Sequence, residues 1–243
     1  MYVFLNNTGM TYVLLVLLGL VIGSFVSAIT YRIPKELGFV KGRSFCDSCK
    51  KELRWFDNIP LFSFLFYLGK SRCCGKKISI RYPLIEIVSL IGVVAIWLLS
   101  SNIIFIVLYL LTLTILVIDL EHQIIPDELS LIIFLLFLVT SNIPLFPSLF
   151  IGFLCAFLLF LIHLITRGRG MGLGDVKLAI ALGAWLGFEK GLTWLMMSFI
   201  LGGIVASFLL ILRKAKFKSK IAFGPFLIIA FWIMFLTSIK INL

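Results

Sequence analysis

Long apolar stretches recur along the whole chain, and this pattern constrains the fold more than any other feature of the sequence. Hydrophobic residues make up 61% of the chain and charged residues 14%, with a mean hydropathy of +1.15. Such a composition leaves too few polar residues to cover a water-soluble core. The stretches are residues 11–29, 84–99, 103–118, 129–139, 147–165, 176–186, 192–212 and 221–239.

A helical membrane span requires about 20 mostly apolar residues. We therefore predict an all-α polytopic membrane protein with about eight transmembrane helices. Stretches 129–139 and 176–186 are short for a full crossing, so they must tilt, use flanking residues or be shielded by neighbouring helices. The first stretch lacks a preceding basic region and is interpreted as a retained helix rather than a secretory signal.

The distribution of the 22 Lys and Arg residues predicts the orientation in the membrane. Short cytoplasmic loops carry the excess of basic residues in membrane proteins. With the N-terminus outside, the basic residues concentrated in 31–82, at 167 and 169, and in 213–220 all become cytoplasmic. The net charge of +11 is thereby explained, and without a compact basic domain no nucleic-acid partner is expected.

Four of the five cysteines lie in one polar loop, and we divide the chain around it. Residues 1–30 are predicted as the first transmembrane helix, 31–82 as a cytoplasmic cysteine loop and 83–243 as a membrane-embedded core. Cys46 and Cys49 form a C-x-x-C pair, and Cys73 and Cys74 are adjacent. Such thiolates can bind a structural Zn²⁺, which would supply folding energy to a loop without a hydrophobic core.

The second cysteine pair departs from a zinc ribbon, because Ser71 stands three residues before Cys74, where a second C-x-x-C would begin. Adjacent cysteines chelate one ion awkwardly, so a reduced loop without metal remains an alternative. A disulfide is not expected in the reducing cytoplasm. Cys155 lies in an apolar stretch and is interpreted as a small packed residue.

Carboxylates at membrane depth are costly, so the positions of the eleven acidic residues are informative. Asp119 ends the third apolar stretch, and Pro126 prevents simple continuation of that helix. Asp175 opens the sixth stretch after glycines that permit positive φ or close backbone approach. An interfacial carboxylate and a helix N-cap are the alternative interpretations of these aspartates. His122 and His163 lack the spacing of a metal site, and neither is assigned a catalytic role.

Six motifs occur in order over about residues 20–230: residues 23–34, the cysteine loop with 57–60, 80–86, 118–127, 170–177 and 224–226. They resemble the motifs of the type IV prepilin peptidases, and the resemblance implies a membrane aspartyl endopeptidase. Such an enzyme cuts short basic leaders from prepilins or pseudopilins at the cytoplasmic face of the bacterial inner membrane. Asp119 and Asp175 match the two catalytic aspartates of the family, with Gly172, Gly174, Asp127 and Lys177 as supporting residues.

Many members of this family also methylate the new N-terminus with S-adenosylmethionine, an activity associated with the cytoplasmic side and the cysteine loop. Ser71 and the displaced Cys73 depart from the family pattern, which leaves the metal site and the methylation open. Proteolysis by two aspartates is expected to need no cofactor. The sequence does not select among pilus assembly, secretion and DNA uptake as the pathway of the substrates.

Three other readings of the sequence remain. A polytopic transporter or channel also uses intramembrane carboxylates, but transporters tend to show repeats with broken helices at the midplane. A non-enzymatic assembly subunit would use the cysteine loop to bind a partner. A preflagellin peptidase shares the aspartate chemistry, but the cysteine loop is not part of its pattern.

Overall fold

A computed structural model describes residues 8–35, 44–46, 48–58, 61–141, 143–213 and 221–241. Across these residues the regular elements are helical, and strand pairing is limited to two isolated bridges in the cysteine loop. The all-α polytopic class is thus confirmed. The α-helices are α1 (Thr8–Arg32), α2 (Phe62–Phe66), α3 (Arg81–Ser100), α4 (Ile103–His122), α5 (Asp127–Thr140), α6 (Leu145–Ile165), α7 (Leu173–Ile211) and α8 (Gly224–Ile241).

Within the described part of the chain, five helices are long and apolar enough to cross a bilayer: α1, α3, α4, α6 and α7. Helix α5 has only 14 residues, and α8 is a shorter apolar helix. Helix α7 has 39 residues and is interrupted at Gly187, where φ is 70°. The predicted stretches 176–186 and 192–212 are the two parts of this broken helix. The count of eight spans stays a prediction.

The chain forms two compact units, residues 1–114 and 115–243. The cysteine loop belongs to the first unit, and both candidate aspartates belong to the second. The domain limits expected from the sequence, at residues 30 and 82, stay a prediction.

In the first unit, glycines let α1 and α3 approach at backbone distance. A Cβ atom at Gly23 would lie 2.8 Å from the Cα of Glu86, and one at Gly19 would lie 2.9 Å from the Cα of Leu90. The Ser89 hydroxyl donates a hydrogen bond to the Gly19 carbonyl at 3.1 Å. Small residues commonly permit such contacts between membrane helices. The packing places Glu86 against α1.

In the second unit, α7 packs against α5, α6 and α8. The indole N–H of Trp185 donates to the Ile133 carbonyl of α5 at 3.2 Å, and that of Trp194 donates to the Leu227 carbonyl of α8 at 2.9 Å. Cys155 of α6 is fully buried, in agreement with its interpretation as a packed residue. Helix α7 thereby holds its neighbours in fixed positions around the start of the helix, where Asp175 lies.

Candidate active site and metal centre

Asp175 lies in the first turn of α7. Gly172 is the N-cap residue, and its N–H donates to Asp175 Oδ2 at 3.1 Å. The carboxyl group is 8% exposed, and its Oδ1 atom has no hydrogen-bond partner among the described residues. A helix N-terminus favours negative charge. One oxygen is therefore held by the backbone, and the other keeps its capacity to bind water or a substrate.

Asp119 lies in the last turn of α4 and is 4% exposed. The N–H of Gly224, the first residue of α8, donates to Asp119 Oδ2 at 3.0 Å. A Cβ atom at position 224 would lie 2.6 Å from the same oxygen, so this approach requires glycine. Gly224 lies in the last of the six sequence motifs, but no role is predicted for it from the sequence. The only signal was a Gly-Pro pair at the start of an apolar stretch.

The structure brings Asp119 and Asp175 together. The Asp119 carboxylate acts electrostatically on that of Asp175. Ile125 lies in the connection between α4 and α5 and packs against Gly174 and Gly224. A Cβ atom at Gly174 would lie 2.8 Å from Ile125 Cβ, and a Cβ atom at Gly224 would lie 3.0 Å from Ile125 Cδ1. The ends of α4, α7 and α8 therefore converge on one residue. The catalytic role of the two aspartates stays a prediction.

The glycines before Asp175 act by close approach. Gly172 is extended, with φ −78° and ψ 149°, and Gly174 lies inside α7. Positive φ occurs earlier in the loop, at Gly168, where φ is 73°. The sequence suggested either positive φ or close backbone approach for these glycines, and Gly172 and Gly174 show only close approach. The Asp175 carboxyl group occupies the space of a Cβ at Gly172, and Ile125 occupies that space at Gly174.

Asp127 and Lys177 form an ion pair that links the start of α5 to α7. Their side chains are 63% and 51% exposed, so the pair contributes little to stability in water. Asp127 is thus an exposed residue, in contrast to the buried pair of Asp119 and Asp175. The supporting role of Asp127 and Lys177 stays a prediction.

His163 was not predicted to touch the site, but it binds the loop that carries Asp175. Its Nδ1 lies 2.8 Å from the Met171 carbonyl oxygen, and its ring stacks on Phe160. Such a contact could not be found from sequence spacing, because His163 lies on the preceding helix. His122 is exposed and lies 3.9 Å from the Glu121 carboxylate.

Two turns of the cysteine loop are closed by the same backbone hydrogen bond, one between residues 46 and 51 and the other between residues 71 and 76. In the first turn the N–H of residue 46 donates to the carbonyl of 51, and in the second that of 71 donates to the carbonyl of 76. Residues 50 and 75 both have positive φ, 59° and 69°. Ser71 therefore occupies the place that Cys46 has in the first turn, and Cys74 the place of Cys49.

The four thiol sulfurs of the loop lie within 4.8 Å of one another and could hold a metal ion. The sulfurs of Cys46 and Cys74 are 3.8 Å apart, close to the separation of about 3.8 Å that tetrahedral Zn–S bonds of about 2.3 Å imply. The Cys73 sulfur lies 3.1 Å from Ser71 Oγ and 3.0 Å from the Cys49 sulfur. Cys73 thus supplies a thiol beside the position where Ser71 has none.

The environment of Cys46 within the cluster favours its thiolate form. Burial raises the pKa of Cys46, but hydrogen bonds from the Ser71 hydroxyl and from the Cys49 and Ser48 N–H groups outweigh burial and lower that pKa to about 6. The adjacent Cys73 sulfur raises the pKa of Cys49 to about 12. Since metals bind the thiolate form, the lowered pKa favours Cys46 as a ligand at neutral pH.

Comparison with known proteins gives matches over both units. Residues 17–100 match the bacterial peptidase A24 N-terminal domain, and residues 105–207 match the type IV leader peptidase family. The prepilin leader peptidase/N-methyltransferase of Xanthomonas campestris pv. campestris is 34% identical, over 90% of this chain and 88% of that protein. The proteins of that name from Pseudomonas aeruginosa (35% identical, 91% and 88% covered) and Neisseria gonorrhoeae (32% identical, 90% and 87% covered) are similar to the same extent. No solved structure matches the chain.

Proposed function

Because this chain belongs to the type IV leader peptidase family, we propose that it is a membrane endopeptidase that cuts leader peptides from type IV prepilins or pseudopilins. Asp119 and Asp175 are the catalytic residues of this proposal. The observation that carries it is the buried pair of carboxylates, each held through one oxygen by a glycine N–H. A transporter or an assembly subunit would not require that arrangement.

The two carboxylates act as one unit. Two carboxylates that interact electrostatically do not both ionise easily, so the pair shares a proton. The ionised carboxylate takes a proton from the attacking water, and the protonated one donates to the oxygen of the scissile carbonyl. Asp175 Oδ1, which has no partner among the described residues, is available for one of these contacts. Neither aspartate becomes covalently attached to the substrate.

The active site faces the cytoplasm in this proposal, and the N-terminus lies outside the bacterial inner membrane. The concentration of basic residues in loops on one predicted side supports this orientation. The same basic residues repel a basic leader, so recognition depends on the cleavage region and the apolar helix of the prepilin. Labelling of a cysteine introduced beside Asp119 tests the orientation, and reaction only from outside the cell would contradict it.

The first unit carries the metal and methylation parts of the proposal. The relatives are named prepilin leader peptidase/N-methyltransferase, and S-adenosylmethionine would supply the methyl group for such a reaction. Cys46, Cys49, Cys73 and Cys74 hold a structural Zn²⁺ that stabilises the loop. Proteolysis requires neither group, because the aspartates supply both proton transfers.

Replacement of either aspartate by Asn tests the peptidase proposal. Each variant keeps the approximate shape but loses the titrating group, so cleavage of a prepilin-like substrate should fall about 100-fold or more. The double variant should lose little more, since the residues act together. Asp127→Asn is measured beside these variants, because Asp127 is an exposed aspartate outside the buried pair and becomes the first replacement candidate if the assignment fails. Near-normal cleavage by Asp119→Asn or Asp175→Asn, at normal protein levels, would show that the assignment is wrong. Loss of cleavage with intact assembly contacts would argue against a purely structural subunit.

A further inference from the structure

A cavity of about 420 Å³ lies within the first unit, between α1, the start of α3 and the cysteine loop. Its volume falls in the range of about 300–1,000 Å³ typical of small-molecule sites. Cys46 and Ser71 form part of its wall, so the cysteine cluster shapes the cavity. The proposed peptidase chemistry does not use this space.

Glu86 is the buried charged residue of the cavity. It is 7% exposed, and the Leu61 N–H donates to its Oε2 at 2.8 Å. Leu61 adopts a left-handed backbone conformation, φ 54°, where it presents this N–H, and the Ser24 hydroxyl is a second donor. Among the described residues Glu86 meets only these neutral donors. A buried ionised carboxylate without a cationic partner is unfavourable, so a ligand that brings a positive charge would stabilise the ionised form of Glu86.

The nearby cationic side chain points elsewhere. Arg81 donates to Thr30 Oγ1 at 2.8 Å and to the Ser27 carbonyl at 3.5 Å, and its guanidinium lies over the Tyr82 ring. These contacts direct Arg81 along α1. None of these described contacts is with Glu86, which lies five positions further along α3.

The rest of the wall supports the same type of ligand. Aromatic faces attract organic cations, whereas basic side chains at the edge attract a carboxylate or a carbonyl oxygen. Arg72 is paired with Asp57 at 3.3 Å, and Lys70 and Lys77 are exposed. The charge is thus negative inside and positive at the rim. The aromatic residues are Phe25, Tyr31, Phe45, Phe64, Tyr67 and Tyr82.

We propose that this cavity binds a small organic cation whose positive centre faces Glu86 and whose carboxyl or carbonyl group faces the basic rim. The inference rests on the proposed function, which supplies two ligands with this chemistry. One is S-adenosylmethionine, with a sulfonium near a carboxylate. The other is the N-terminal ammonium that leader removal exposes, with its adjacent peptide carbonyl.

Direct binding to the purified full-length chain tests the proposal without any catalytic step. Two ligand pairs differ in the positive charge: S-adenosylmethionine against S-adenosylhomocysteine, and a short prepilin-derived peptide with a free against an acetylated N-terminus. The wild-type chain should prefer the charged member of at least one pair by about tenfold, as one charge-assisted contact implies. The ligand pair in which the charged member binds more tightly shows whether the cation is the sulfonium of S-adenosylmethionine or the N-terminal ammonium of the peptide. Equal binding of charged and neutral members in both pairs would overturn the proposal.

Glu86→Gln should remove the preference, because the amide keeps an acceptor for the Leu61 N–H but carries no charge. Glu52→Gln is the matched control, since it removes an exposed charge from the same loop outside the cavity, and it should keep the preference. A preference for the charged ligand that survives Glu86→Gln would contradict the proposal. If that variant unfolds, the comparison of charged and neutral ligands on the wild-type chain still decides the question. The Asp175→Asn variant should bind normally, so a failure here is distinguishable from a failure of the peptidase proposal.

Discussion

At the scale of single residues, two glycine N–H groups position the candidate catalytic carboxylates. Gly172 binds Asp175 from three residues away, whereas Gly224 binds Asp119 across 105 residues of sequence. The first contact is local and follows from helix capping. The second forms only when α4 and α8 are assembled, so it couples the geometry of the site to the folding of the second unit.

We expect Gly224→Ala to reduce cleavage by about ten- to a hundredfold, the range for loss of an accurately placed group. The added Cβ would stand 2.6 Å from Asp119 Oδ2 and displace either the carboxylate or α8. Initial rates in membranes with equal amounts of protein measure the effect. Gly203→Ala is the control, because nothing lies within 4 Å of a Cβ at that position. Equal rates for the two variants would show that the Gly224 contact is dispensable.

At the scale of helices, the start of α7 depends on the end of α6. The loop between these helices carries the Met171 carbonyl to the imidazole of His163, and Asp175 follows one turn later. Gly168, at φ 73°, turns the chain beside the same imidazole, since a Cβ there would lie 3.2 Å from His163 Cε1. His163 is therefore a positioning residue for the first turn of α7.

Replacement of His163 by Phe keeps the packing against Phe160 but removes the hydrogen bond to Met171. We expect kcat to fall several-fold with little change in KM, since the loop would hold Asp175 less precisely. His163→Asn should restore part of kcat, because its amide N–H takes the place of Nδ1. His122→Asn serves as the control on an exposed histidine. If His163→Phe changed KM alone, the residue would act in substrate binding instead.

At the scale of the whole molecule, the two units are stabilised in different ways. The second unit is built from long apolar helices with a fully buried core that includes Trp194, Phe137 and Phe231. The loop of the first unit has short turns, two isolated bridges and four clustered thiols. Metal ligation would supply to this loop the folding energy that apolar burial supplies to the helices.

We expect at most one Zn²⁺ per chain, with Cys46 and Cys49 as the firmest ligands. Elemental analysis of protein purified without chelators should show the metal in the wild-type chain and its loss when both residues are replaced by Ser. Cys155→Ala is the control, since this cysteine is buried in α6. Ser71→Cys should strengthen binding, because it restores a thiol at the position equivalent to Cys46.

Removal of the metal should loosen the cysteine loop before the membrane helices unfold. Proteolysis of the loop should therefore increase at temperatures where the helices persist. Absence of zinc from the wild-type chain, or an unchanged zinc content after replacement of Cys46 and Cys49, would contradict the prediction.

The sequence alone determined the class of fold, because hydrocarbon cannot hydrogen-bond the backbone and apolar stretches of this length must be helical. It also singled out Asp119 and Asp175, since charged residues at membrane depth are few. It located the end of α4 before Pro126 and the start of α7 near Asp175, where local chemistry specifies the boundary.

Only the tertiary structure placed the Gly224 N–H on Asp119, the His163 ring on the Met171 carbonyl and the Glu86 carboxylate in a cavity. Each of these contacts joins different helices or a helix to a loop, so no local spacing records it. The sequence already placed Ser71 where a second C-x-x-C would begin, and the matching backbone hydrogen bonds of the two turns agree with its equivalence to Cys46. Helix formation depends on residues three or four positions apart, whereas such sites depend on which helices pack together.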